Sequence, residues 1–194
     1  MRAQDSRRSM AAPYTAVLCM ALLLGGEGAH SQAQGEATIV FARPSSFGWD
    51  ASTSIFDVVD AQPVLKGVVQ AETRLDVRVP AGAHTFLVLC KGNNPDFISA
   101  KLAAGKTYYV TVSLKRRFAG PASCHLEAVH DAGGNAKETD KLVAKLKPVQ
   151  MNAEAARWEI DNAPSIEERF AAGYAPWLEA QKSEPPMLAE ADGK

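Results

Sequence analysis

The residues of this 194-residue chain that could do chemistry are few and scattered. His84, His125 and His130 are the histidines of its central and later parts, and Cys124 stands directly before His125. Imidazole and thiolate are zinc ligands, yet these spacings match no compact ligand set. Neighbours along a strand point to opposite faces, so Cys124 and His125 cannot readily share one ion. No metal and no cofactor is therefore expected. A serine nucleophile held in a strained turn would need Gly-x-Ser-x-Gly, which the chain lacks. Ser45 and Ser46 have no histidine nearby in sequence. Asp57 and Asp60 make a carboxylate pair, but they fall where a strand runs into a turn, a place where acids are usually solvated. No residue is given a catalytic role, and the expectation is a protein that is not an enzyme.

Binding residues are easier to nominate. Phe47 and Trp49 flank Gly48 in a loop, where large aromatics are less often needed for a core. Exposed, they would stack on a sugar ring or anchor a protein partner; folded back, they would plug one end of the domain. Lys115-Arg116-Arg117 closes a strand, and Arg116 and Arg117 are candidates for meeting an anionic envelope polymer or lipid headgroup. Their plainer role is a solvated strand end that discourages edge pairing.

The elements that must position these residues begin with an export segment. Arg2, Arg7 and Arg8 precede an apolar run from Ala16 to Leu24 and a small, polar stretch ending near Ser31-Gln32-Ala33. That order reads as a signal peptide over residues 1–33, cut after Ala33. The apolar run falls well short of the roughly 20 residues a membrane-spanning helix needs. Cys19 makes a poor lipid-attachment cysteine, because bulky Leu18 precedes it and the apolar run continues beyond it. The expected destination is the periplasm, the extracellular space or the cell envelope, with membrane anchoring not expected. Removal of residues 1–33 leaves a net charge of about −2 with no long basic tract, which argues against nucleic acid as a partner.

Export also bears on the cysteines. Cys90 and Cys124 remain after cleavage, and disulfides persist outside the cytoplasm. A Cys90–Cys124 bridge closes a loop of about 35 residues, worth up to roughly 4 kcal/mol on the chain-entropy model. Two separate buried thiols are the alternative.

From Ala37 to His130 the chain reads as short strands divided by turns. The runs are Ala37–Arg43, Ser54–Val59, Val64–Val69, Thr73–Val79, His84–Lys91, Asp96–Leu102, Thr107–Lys115 and Ala122–His130. Leu75, Val77 and Val79 alternate with Arg74, Asp76 and Arg78, the pattern of a half-buried strand. Phe86, Val88 and Cys90 share one face of the fifth run while Leu87 and Leu89 share the other, so that strand should be buried on both sides. The expected fold is mainly β, an antiparallel two-sheet β-sandwich of seven or eight short strands over residues 34–131, with a small barrel as the alternative.

A C-terminal α-helical extension over 132–182 follows. Its first helix runs over Lys137–Lys147 and stops at Pro148; Asn152 caps a second; Ser165 with Glu168 opens a third. Ile166, Phe170, Tyr174 and Trp177 line one face of the last, a stripe that should dock on the sandwich. Residues 183–194, proline-rich then acidic, read as a disordered tail.

Three segments carry a resemblance: Phe41-Ala42-Arg43-Pro44-Ser45-Ser46-Phe47, Val79-Pro80-Ala81-Gly82-Ala83-His84-Thr85 and Ala104-Gly105-Lys106-Thr107-Tyr108-Tyr109-Val110. In that order they resemble a bacterial family of exported and predicted lipoprotein chains catalogued only as a domain of unknown function. The resemblance covers about residues 36–130. It implies a compact β-sandwich at the cell envelope and supplies no reaction and no site. The lipid-attachment motif of such chains is missing here, and the helices beyond Lys137 lie outside the match. The expectation that closes the sequence reading is an exported envelope module, binding or structural, whose partner is an envelope protein or a glycan. A secreted hydrolase with an unrecognised site is the alternative.

Overall fold

Among the described residues the chain forms nine strands and two α-helices. The computed structural model describes residues 35–45, 51–91, 94–115, 123–130 and 136–194. The signal segment, Phe47, Trp49, Arg116 and Arg117 all lie outside the described residues. Strands β1 (Glu36–Arg43), β2 (Thr53–Val59), β3 (Gln62–Val69), β4 (Thr73–Pro80), β5 (Gly82–Leu89), β6 (Asp96–Leu102), β7 (Thr107–Lys115) and β8 (Ser123–Ala128) are followed by α1 (Ala136–Lys145), β9 (Lys147–Val149) and α2 (Ala153–Gln181). One sheet has the order β8-β7-β1-β4-β9 and the other β3-β2-β5-β6. Neither closes on itself, so the arrangement is a sandwich and not a barrel.

The inner faces meet through side chains of period two. Ile39 and Phe41 of β1, Leu75 and Val77 of β4, and Phe86 and Val88 of β5 are all buried in one core. Gly67 lets the two sheets approach closely, since a Cβ there would lie 2.8 Å from a Leu75 methyl. Asp60 and Ala61 both adopt positive φ, 50° and 56°, which makes the tight two-residue turn between β2 and β3. Cys90, just past β5, is joined to Cys124 of β8 with Cα atoms 6.1 Å apart, so the expected disulfide links the two sheets.

Three features depart from the sequence reading. The sandwich is not wholly antiparallel: β1 pairs with β7 in parallel, and β9, a strand not expected, pairs in parallel with β4. Three residues are too few for a strand to announce itself by alternation. The second and third expected helices are one, because Pro164 sits inside α2 and does not stop it. Proline's φ is compatible with a helix, and the cost of the lost hydrogen bond is offset by a continuous apolar stripe packed on the sheet. Asn152 caps α2 as expected, its side chain accepting from the Ala155 N–H at 2.8 Å, whereas Ser165 and Glu168 lie within the helix.

The third departure concerns residues 183–194, which are placed as a strap and are not a disordered tail. Leu188 is fully buried in the inter-sheet core. Its N–H donates to the Ser99 carbonyl at 3.0 Å and its carbonyl accepts from the Lys101 N–H at 2.8 Å. Lys194 exchanges two backbone hydrogen bonds with Thr107, at 3.0 and 3.1 Å. Composition misleads here because one well-placed leucine and main-chain pairing hold a segment that is otherwise polar.

The helices cover the outer faces. On the first sheet, Val143 and Leu146 of the α1 region pack on Val40 and Ala42. On the second, Ala155, Ile166 and Phe170 of α2 pack on Phe56, Leu65, Leu87, Leu89 and Phe97. This is the docking expected of the aromatic stripe, with Trp177 and Phe97 ring centroids 5.2 Å apart. Gly173 lets the helix settle, since a Cβ there would meet Pro95 at 2.5 Å. Ala33–Lys194 form a single compact unit, with the C-terminal helices docked on the sandwich.

Candidate functional site

The outer face of β2, β3 and β5 and the first half of α2 do not close on one another completely. The stripe residues Ile166 and Phe170 seat the helix over Leu89 and Phe97. Towards its N-terminus α2 is held at the sheet edge by Glu159, which accepts the Leu65 N–H at 3.1 Å. Between these anchors lies a cleft of about 820 Å3. Its size is that of small-molecule sites, roughly 300–1,000 Å3.

The floor of the cleft is apolar, made by Val68, Leu89, Val149, Ala155 and Ile166. The walls are polar. Ser54 and Gln70 reach it from the sheet, Gln150 from the connection before α2, and Asn162, Ser165 and Arg169 from the helix. Ser54 is only 5% exposed, on the strand beneath the helix.

Among the described residues, Lys91, Arg169 and Glu154 are the charged side chains around the opening. Arg169 donates to the Cys90 carbonyl at 2.6 Å, which ties the cleft to the residue that carries the disulfide. Burial lowers the Arg169 guanidinium from its ordinary value. Trp158 lines the opening with 38% of its surface exposed.

A second polar cluster lies inside the sandwich. Asp57 is 2% exposed, a correction to its reading as a solvated turn acid. Its carboxylate lies 3.3 Å from His84 Nδ1 and 3.5 Å from Lys66 Nζ. His84 Nε2 lies 2.8 Å from the Pro80 carbonyl, and the ring stacks on Phe86. The bond to Asp57 raises the His84 imidazole above its ordinary value against the opposing pull of burial, and the Pro80 carbonyl adds to the rise. Both ring nitrogens therefore face acceptors, an arrangement that suits an imidazolium. The pair does not line the cleft; its role is to hold β2, β5 and the end of β4 together.

The other histidines sit elsewhere. His125 lies 3.7 Å from Asp96, and His130 contacts Asp192 of the strap at 3.1 Å. Cys124 is buried in the core while the His125 side chain is about one-third exposed, the opposition of faces expected of strand neighbours. Among the described residues no group of three or more His, Cys, Asp or Glu is placed to hold a metal ion. Lys115 pairs with Glu127 at 2.9 Å, and that bond holds the Glu127 carboxyl below its ordinary value.

Of the residues nominated from sequence, Cys90 and Cys124 are brought together, and Cys90 also lines the cleft. The motif residues that carry the family resemblance are structural where they are described. Arg43 is 1% exposed and donates to the Ala51 carbonyl, and the Tyr108 hydroxyl accepts the Ala103 N–H at 2.7 Å. Trp158 and Ser54 were missed. Trp158 carries a signal in retrospect, an indole set among charged residues and off the apolar stripe of α2; Ser54 carries none, since only the packing of the helix over β2 places it in the cleft. No protein-family model matches the chain, and no curated protein matches it.

Proposed function

We propose that the protein is an exported, non-enzymatic binding module of the cell envelope, whose partner enters the cleft between α2 and the second sheet. The observation that carries this reading is the cleft itself, about 820 Å3 with apolar residues at its floor and polar side chains on its walls. A sheet-to-sheet disulfide and a helix seated by four aromatic rings make the walls rigid, which lowers the entropic cost of capture. Export rests on the order of charges and apolar residues in residues 1–33 and fits a disulfide that needs an oxidising compartment.

The test is retention of the purified protein on envelope material from an exporting bacterium, compared with Ser165→Trp. Ser165 is exposed at the cleft wall, so the added indole fills the opening without disturbing the core. Retention lost in Ser165→Trp, with helical circular dichroism unchanged, is the expected result. Turnover of an envelope substrate, abolished by one point substitution, would replace this reading with that of a secreted hydrolase.

A further inference from the structure

We infer that the C-terminal strap exchanges between two copies of this chain, the strap of one adding to β6 and filling the inter-sheet socket of the other. The inference is independent of the cleft and gives the protein a partner of its own kind. The chain leaves α2 at Gln181 and reaches β6 at Met187, and both ends of that span meet one hydroxyl. Ser99 donates to Gln181 Oε1 at 2.6 Å and accepts the Met187 N–H at 3.0 Å. Residues 182–187 are all exposed, whereas Leu188 directly after them is fully buried.

The sequence of the span opposes a tight return. Glu184 and Pro185 each precede a proline, which drives them towards extended backbone. Two prolines in succession also favour a stiff, extended rod. Drawn out, the chain from Gln181 to Met187 covers up to about 20 Å, enough to reach the β6 edge of a second molecule. Short connections under strain are where copies of a protein trade an element.

The socket says which chain fits it. At the β6 edge it takes a leucine whose N–H donates to the Ser99 carbonyl at 3.0 Å and whose carbonyl accepts the Lys101 N–H at 2.8 Å. Further along it takes a glycine, because a Cβ at Gly193 would collide with the Tyr108 ring. The residue after must pair its main chain with Thr107, as Lys194 does at 3.0 and 3.1 Å. Between them Glu190 meets Lys101 at 3.2 Å and Asp192 meets His130 at 3.1 Å. An unrelated peptide meets this set only by coincidence, whereas a second copy carries all of it. Each of these partners belongs to the sandwich, so every contact is remade unchanged across two chains. A strap that swings out bares the β6 edge and the Leu188 socket, and an open edge pairs with a strand that complements it.

The experiment takes the purified, disulfide-intact protein, unfolds it in urea, refolds it at a series of concentrations and reads its mass by sedimentation velocity. A dimer should form, its ratio to monomer rising about tenfold for each tenfold rise in free monomer. A sample refolded from equal parts of isotopically labelled and unlabelled chain should show isotope-filtered NOEs from the Gly193 α-protons of one chain to the Tyr108 ring of the other. Pro185→Gly with Pro186→Gly should lower the dimer-to-monomer ratio several-fold, because a flexible span raises the effective concentration of the strap at its own socket. A protein that is monomeric after refolding at every concentration would overturn the exchange. So would a dimer whose Gly193–Tyr108 contacts stay within each chain, because assembly would then run through another surface. A ratio unchanged in the glycine variant would overturn the part given to the prolines.

Discussion

Leu188→Ala should destabilise the protein by about 3 kcal/mol, a large loss for a residue six positions before Lys194. Leu188 is fully buried among the inter-sheet residues, and its main chain is bonded to β6 on both sides. Truncation removes three buried carbons, worth about 2.4 kcal/mol at roughly 0.8 kcal/mol each. The cavity left behind adds up to about 2 kcal/mol, less whatever the strap recovers by settling inward. Urea unfolding followed by circular dichroism reads the change as a lower midpoint at constant slope. Met187→Ala is the control, because Met187 is 38% exposed and its truncation should cost under about 0.5 kcal/mol. The reasoning is refuted if the two variants unfold together, since that would mean the strap contributes nothing to the core.

Replacing both Cys90 and Cys124 by serine should cost up to about 4 kcal/mol in denaturant unfolding, with reduction of the native protein giving a similar loss; no effect of either would mean the bridge does not constrain the unfolded chain. Stability should also depend on His84. Its folded value is raised, so its contribution is fully present below the unfolded value of ~6.5 and is lost as pH rises through the folded value. His84→Asn should flatten the unfolding midpoint across that window, and an unchanged pH profile would contradict the His84–Asp57 assignment. Phe170→Ala should cost about 3–5 kcal/mol and loosen α2, read as faster amide exchange along the helix, because the ring packs on Phe97 and Tyr174.

Much of the sandwich was legible because strands that bury one face must alternate. β6 and β7 fall at Asp96–Leu102 and Thr107–Lys115, the limits read from sequence. The double burial of β5 followed from apolar residues on both its faces, and the structure places Phe86 and Val88 between the sheets and Leu87 and Leu89 beneath α2. What escaped depends on long-range partners. Pairing of β1 with β7 has no local signature, and β9 and Leu188 act through contacts set by the rest of the fold. Asp57 was read as solvated because its partners, His84 and Lys66, come from other strands. The cleft was missed for the same reason, since Ser54 and Trp158 are more than a hundred residues apart in sequence and become one site only when α2 lies across β2.

The most direct test of the central claim is amide and indole chemical-shift mapping of the isotopically labelled protein titrated with solubilised envelope material. The account predicts shifts confined to the Trp158 indole, Ser54, Gln70, Gln150 and the α2 residues Asn162 to Arg169. Shifts centred on β8 or the strap, with the cleft silent, would contradict it.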